Sequence, residues 1–191
     1  MSLGEWDERH RVADLRHHKE SAAGGACVSE TLLRVSPFVD ETCRDLAPGK
    51  ALDLASGRGD NSLWLAQRGW TVTAVDGSAV AIEIVQRDAR ALGVKVEAHV
   101  SNLEQNEYAI PKGTFDLILI CRYFQPDLYA RAIEGLTPGG ILIATARLAT
   151  DQEHRFCIEP GRFAGYFEGL EILRCVETSG AHPIAQIVGR R

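Results

Sequence analysis

At 191 residues, with 45% apolar and 25% charged side chains, the chain has the length and make-up of a single globular domain with a full core. A formal charge of −5 argues against a general nucleic-acid binder, and no apolar run reaches the roughly 20 residues of a membrane helix. The five cysteines (Cys27, Cys43, Cys121, Cys157, Cys175) are scattered, odd in number and without a Cys-x-x-Cys pair, which points to reduced thiols in a cytoplasmic protein rather than a disulfide framework or a zinc site.

Residues 1–29 read as an N-terminal helical or flap segment and 30–191 as one domain. Residues 4–20 are polar around Trp6 and are taken as a solvated helix ahead of the alternative, a flap that brings Trp6 or His10 to a ligand. The histidines there lack the partners and spacing of a metal site, so no metal is expected. The polar N-terminus also lacks the apolar stretch of a signal peptide. Ser21 to Ala26 is a small-residue hinge. Ser36-Pro37 starts a helix whose buried side is Phe38, Val39, Cys43 and Leu46, ended by Pro48-Gly49. Ala51 to Leu54 is a buried strand, followed by a glycine turn and a helix over about 61–68. Thr71 to Asp76 is a second strand ending in a carboxylate. Ser78 caps a helix striped by Ala81, Val85, Ala89 and Leu92 at helical spacing. Val94 to Val100 is a third strand.

Phe115 to Ile120 is a continuous apolar run and therefore a central strand. Cys121-Arg-Tyr-Phe124 emerges from it, and a helix from Pro126 to Leu136 follows. Ile141 to Thr145 is a fifth strand, and Pro160-Gly161 starts a short helix to Phe167. Leu170 to Thr178 and Pro183 to Val188 are two strands joined by too few residues for a parallel crossover, so they pair antiparallel. Alternating strands and helices give an α/β, three-layer arrangement, a mainly parallel sheet covered on both faces.

The stretch Lys50-Ala-Leu-Asp-Leu-Ala-Ser-Gly-Arg-Gly-Asp-Asn-Ser62 is the construction of a nucleotide-type site: strand, tight glycine turn, helix start. Asp53 stands where the strand runs into the turn. A carboxylate there repels a dinucleotide pyrophosphate and suits a cationic ligand. The third position of the dinucleotide fingerprint is also Ser62 rather than Gly or Ala, which disfavours an NAD-linked oxidoreductase.

Five segments, Leu52-Asp-Leu-Ala-Ser-Gly-Arg-Gly59, Val75-Asp-Gly-Ser78, Ser101-Asn-Leu103, Phe115-Asp-Leu-Ile118 and Leu136-Thr-Pro-Gly-Gly140, stand in the order and spacing of the class I S-adenosylmethionine (SAM)-dependent methyltransferases, which the chain resembles from about residue 30 onward. Within that group it is similar to the compact tellurite-resistance-type methyltransferases, through Arg122-Tyr-Phe, Phe156-Cys-Ile-Glu-Pro-Gly161 and Gly169-Leu-Glu-Ile-Leu. The resemblance implies a Rossmann-like, seven-stranded sheet with strand 7 antiparallel. It implies transfer of a methyl group from SAM, leaving S-adenosylhomocysteine (SAH). It places Asp53, Ala55, Ser56, Gly57 and Gly59 at the methionine end and the ribose, Asp76 on the ribose hydroxyls, Gly77, Ser78, Asn102 and Leu103 around the adenine, and Cys121 beneath the methionyl group.

Three positions depart from the family pattern. Ala55 replaces the usual first glycine, Asn102 a common aspartate, and Gly77 an apolar side chain that covers the adenine, so packing there is expected to be loose. Arg122, Tyr123, Arg147 and Arg155 are candidates for the acceptor, and Arg122, Tyr123 and His154 for catalysis. Cys121 reads as a small buried side chain, not a nucleophile. A small, anionic or polar acceptor, an oxyanion such as tellurite among them, is the expected substrate, without nucleic-acid or membrane partners, in a monomer or homodimer. The alternative is a protein that binds SAM without catalysis.

Overall fold

Continuous apolar runs along the central strands build a sheet with two buried faces. In the computed structural model, which describes residues 2–23, 33–150 and 156–191 (with the side chains of 16–23 left aside), strand β1 (Lys50–Leu54) pairs in parallel with β2 (Thr71–Asp76) and β4 (Phe115–Cys121). β3 (Val96–Val100) lies outside β2, and β5 (Leu136–Leu148) outside β4. β7 (Glu171–Glu177) and β8 (Ile184–Arg190) close the other side, giving the order β3-β2-β1-β4-β5-β8-β7. β8 is antiparallel to both neighbours, as its short connection to β7 requires. The described residues thus form the expected seven-strand path, to which the two-residue β6 (Cys157–Ile158) adds a short pairing with β5.

Leu52, Leu54, Ile118, Ile120, Leu142 and Ala144 face helix α5 (Pro126–Gly135) and the rings of Phe163 and Phe167. Ala51, Leu117, Leu119 and Ile143 face α2 (Pro37–Cys43) and α3 (Asp60–Gln67) through Phe38, Val39, Trp64 and Leu65. Leu117 to Ile120 are wholly buried, which is why that run carries no polar alternation. The remaining helices are α1 (Leu3–Ala23) and α4 (Ala79–Leu92).

Some element expectations change, the first being that α2 ends at Cys43 and not at Pro48-Gly49. The Thr-Pro-Gly-Gly turn is drawn into β5, because Leu136 already pairs with Phe115 before a bulge restores register at Leu117–Ile141. The helix expected to start at Pro160-Gly161 is only a 3-10 turn, Phe163–Tyr166. Of the hinge expected over Ser21 to Ala26, residues 21–23 belong to α1 and residues 24–26 lie outside the described residues, as do Cys27, His154 and Arg155.

Candidate functional site

Parallel strands bring Leu54, Asp76, Val100 and Cys121 to one edge of the sheet, where ligands bind in open α/β folds. Between β1 and α3 the chain turns through three left-handed residues, Ala55 (φ 56°), Gly57 (φ 55°) and Gly59 (φ 77°). The turn is tied to β2 by Ser56 N–H donating to the Val75 carbonyl (3.1 Å) and Gly57 N–H donating to Asp76 Oδ2 (2.8 Å). Asp76 Oδ1 accepts the Ser78 N–H at 2.9 Å. Each oxygen of this half-buried carboxylate keeps a further lone pair.

The glycines have different reasons. A Cβ at Gly59 would stand 2.6 Å from Val85 Cγ2, so Gly59 serves the approach of α3 to α4, whereas one at Gly57 would meet only His10 Cε1 of α1 at 3.4 Å. Ala55 bears the cost of a left-handed backbone without being glycine. Ala55→Gly is expected to stabilise the protein by about 0.5–1 kcal/mol, a rise of roughly 1–4 °C in Tm read by calorimetry.

Asp53 lies under the turn rather than on its surface. It is 1% exposed, and its Oδ2 accepts the hydroxyl of the buried Ser62 at 2.6 Å. Burial pushes its carboxyl up to about 7, and the negative charges of Asp76 and Asp60 add to this against the Ser62 hydrogen bond. Ser56 Oγ is buried without a hydrogen-bond partner among the described residues. Asp60 and Asn61, which open α3, are occupied in accepting the N–H groups of Arg34 and Ser36.

At the adenine end of the expected site, Ser78 caps α4 by accepting the Ala81 N–H at 3.1 Å. The Asn102 side-chain oxygen caps a 3-10 turn by accepting the Glu104 N–H at 3.0 Å, and the Leu103 side chain belongs to the core. The gap expected at Gly77 is filled from elsewhere in the chain: Leu3 Cδ2 lies 2.9 Å from where a Gly77 Cβ would be.

α1 is not a freely solvated helix. Asp7 accepts from the Ser78 hydroxyl and from the Val80 N–H, and so joins the cap of α4. Asp14 takes Arg87 through both oxygens (2.8 and 3.0 Å) and also pairs with Arg58, whose Nη1 donates to the Ala13 carbonyl. Burial lowers the proton affinity of His10, although Asp76 pulls the other way. Sequence named Trp6 and His10 only in the flap alternative, and did not single out Asp7, Asp14 and Arg58 as its partners. The signal was there: Leu3, Asp7, His10 and Asp14 recur at helical spacing, but as a mostly polar stripe.

At the end of β4, Arg122 is again left-handed (φ 57°), with its N–H donating to Thr145 Oγ1 at 2.8 Å. The Tyr123 hydroxyl donates to Gln125 Oε1 (2.9 Å), and Gln125 Nε2 donates to the Leu103 carbonyl (3.0 Å), tying this loop to the 3-10 turn. Burial and the nearby Asp53 charge hold the Cys121 thiol protonated, so it is no nucleophile. Arg147, exposed on β5, lies in register with Cys157. The cavity between Gly49, Thr71, Thr114, Asp116 and Thr137 is at the opposite edge of the sheet and contains none of these residues. Among the described residues no three His, Cys, Asp or Glu side chains are grouped to hold a metal ion, and no helix is long and apolar enough to cross a membrane.

Residues 51–140 match the family described as Methyltransferase domain. The match takes in just under half of the chain, and the sheet that contains it has the Rossmann-like fold of the solved structures named below. Among known proteins the chain is similar to the probable SAM-dependent methyltransferase TehB of Haemophilus influenzae, 23% identical over 188 residues, covering 90% of this chain and 65% of that protein. A relative called hemagglutinin 1, from Eikenella corrodens, is 27% identical over 161 residues, covering 80% of this chain and 54% of the relative. The chain thus spans between about half and two thirds of the length of these relatives.

Among solved structures, TehB of H. influenzae superposes with a TM-score of 0.74 at 19% identity, over 82% of this chain and 62% of that one. The [4+2]-cyclase SpnF does so with 0.71 at 17% identity, over 85% and 81%. A geranyl diphosphate methyltransferase in complex with GPP and sinefungin gives 0.67 at 20%, over 81% and 75%.

Proposed function

We propose that the protein transfers a methyl group from SAM to a small-molecule acceptor. The observation that carries this reading is the pairing of a glycine turn with two carboxylates. Asp53 lies beneath the turn and Asp76 is bonded to it through the Gly57 N–H. The one cationic side chain in the turn, Arg58, is already bonded to Asp14 and the Ala13 carbonyl. Such a turn repels a pyrophosphate and attracts a ligand bearing an ammonium and a sulfonium.

The residues present fit that cofactor. The remaining lone pairs of Asp76 suit a ribose diol, and the unpartnered Ser56 hydroxyl suits a polar group of the amino-acid end. The bare backbone at Gly57 and Gly59, with Asp53 and Ala55 beside it, would hold the methionine portion, with Cys121 under it. Gly77, Ser78, Asn102 and Leu103 would bound the adenine. One lone pair of the Asn102 amide oxygen is used by the cap, so the side chain offers its amide N–H groups and the remaining lone pair.

Bound SAM would supply an electrophilic methyl carbon. The protein's part is to hold a nucleophile in line with it and away from water, for which positioning supplies about 7–11 kcal/mol. No triad is required, and a base only where the acceptor must first lose a proton. Arg122, Tyr123 and Arg147, with Arg155 and His154 in the segment outside the described residues, are the proposed acceptor side of the site. Their cations favour an anionic or polar acceptor. The resemblance of the sequence to the tellurite-resistance-type methyltransferases keeps an oxyanion such as tellurite in that set.

A screen for SAH release across small acceptors, oxyanions included, tests this, and turnover of at least one is the expected result. SAM binding with no turnover would favour the alternative of a binder. The shared fold of a [4+2]-cyclase makes that alternative worth separating. Arg122→Ala is expected to raise the acceptor KM about tenfold while changing SAM affinity less than twofold, since a lost contact to an anion costs about 1.5 kcal/mol or more. Equal losses in both would make Arg122 a cofactor or structural residue.

A further inference from the structure

Four rings cross the mouth of the site in one row. His10 stacks on Trp6 (6.2 Å between centroids, 25°), Trp6 meets Phe156 (6.0 Å, 55°), and Phe156 stacks on Tyr123 (5.5 Å, 28°). The row begins over Gly57, where His10 Cε1 sits, and ends two residues past Cys121. It therefore spans the glycine turn and the end of β4, the two points between which the proposed methyl donor lies.

These rings are not the domain's aromatic core. That is the cluster of Tyr129, Phe163 and Phe167, all 2% exposed or less and 4.8 to 5.8 Å apart, against which Tyr123 alone of the row packs. The four rings of the row are each only half-buried and keep open surface while touching one another. Cations flank them. Exposed Arg122 adjoins Tyr123, and exposed Arg147 is in register with Cys157, the neighbour of Phe156. Neither forms an ion pair among the described residues, whereas Arg58, Arg87 and Arg174 all do.

Resting on the methyl-transfer reading, we infer that the acceptor is a planar aromatic anion, an aromatic thiolate, phenolate or carboxylate, whose ring lies on this row and whose charge is met by the flanking arginines. A bare oxyanion matches only half of the arrangement. It gains nothing from apolar rings, and their negative faces repel it. A neutral aromatic leaves the two cations unused. For a thiolate the step balances without a base: its lone pair forms the new bond to the methyl carbon, the old S–CH₃ bond breaks, and that electron pair stays on the departing sulfur, which becomes neutral.

The test uses the full chain, with thiophenolate, salicylate and tellurite as probes. SAH binding to the wild type is measured first by calorimetry, and its absence would refute the underlying SAM reading. With SAH bound, thiophenolate and salicylate are then titrated, and with SAM the turnover of thiophenolate and tellurite is compared. The expected result is binding of the aromatic anions and methylation of thiophenolate in preference to tellurite. Phe156→Ala should raise the thiophenolate KM by about tenfold, with SAH affinity within twofold, and Phe156→Tyr should restore it. SAH binding without aromatic-anion binding, preference for tellurite, or an unchanged KM in Phe156→Ala would each overturn the inference. So would a Phe156→Ala loss that falls equally on SAH affinity, because the ring would then serve only to seat α1.

Discussion

Asp76→Ala is expected to weaken SAM binding by about 1.5–3 kcal/mol, roughly ten- to 150-fold in Kd, the range for hydrogen bonds to a charged acceptor. The same change removes the acceptor for both the Gly57 N–H (2.8 Å) and the Ser78 N–H (2.9 Å), so the turn loses its clamp to β2. A loss of stability on the order of 1–2 kcal/mol accompanies the binding defect. Calorimetric titration and thermal unfolding of the ligand-free protein separate the two. Unchanged SAM affinity with lowered stability would reduce Asp76 to a residue that only holds the turn.

The second large effect concerns protons. Asp53 is fully buried, and its carboxyl is pushed up to about 7. Because its folded value lies above the ordinary one, the native state holds this proton more tightly than the unfolded chain. Between about pH 4 and 7 this group therefore makes the ligand-free protein less stable as pH rises, by up to about 1.4 kcal/mol per pH unit, and above 7 its effect is flat. A cation bound over the turn favours the charged form and reverses the preference. SAM affinity should rise at least about tenfold between pH 5 and pH 8, with release of up to one proton on binding below pH 7. Calorimetry in buffers of different ionisation enthalpy reads that proton directly. Asp53→Asn should flatten both profiles; an unchanged profile in this variant would assign the pH dependence to another group.

The parallel core was legible because burial on both faces leaves continuous apolar runs, and Leu117 to Ile120 could hardly be anything else. The terminal hairpin followed from the short connection between its strands. Boundaries were less legible where pairing overrode turn chemistry: Pro138, Gly139 and Gly140 entered β5 because the neighbouring β4 already offered Phe115 as a partner. In the site, the turn and its two carboxylates could be placed by residue type and position alone. What each glycine is for could not, since Val85 and His10, which stand over Gly59 and Gly57, are distant in sequence.

Ala55 shows the limit most simply. Sequence marked it as a departure from glycine, and only its φ of 56° gives the departure a cost. The N-terminal helix shows the limit most fully. Apolar periodicity finds buried helix faces, and this helix docks instead through Asp7, His10 and Asp14 on partners supplied by α3 and α4 or the turns before them. Charged side chains look solvated in sequence until their partners are placed. By itself, then, the sequence determined the layered sheet, the nucleotide-type turn and the two carboxylates, because these rest on hydrophobic periodicity and on residue types at fixed local spacing. The docking of α1, the row of rings and the burial that shifts Asp53 arise from contacts between segments far apart in the chain, which only the tertiary structure brings together.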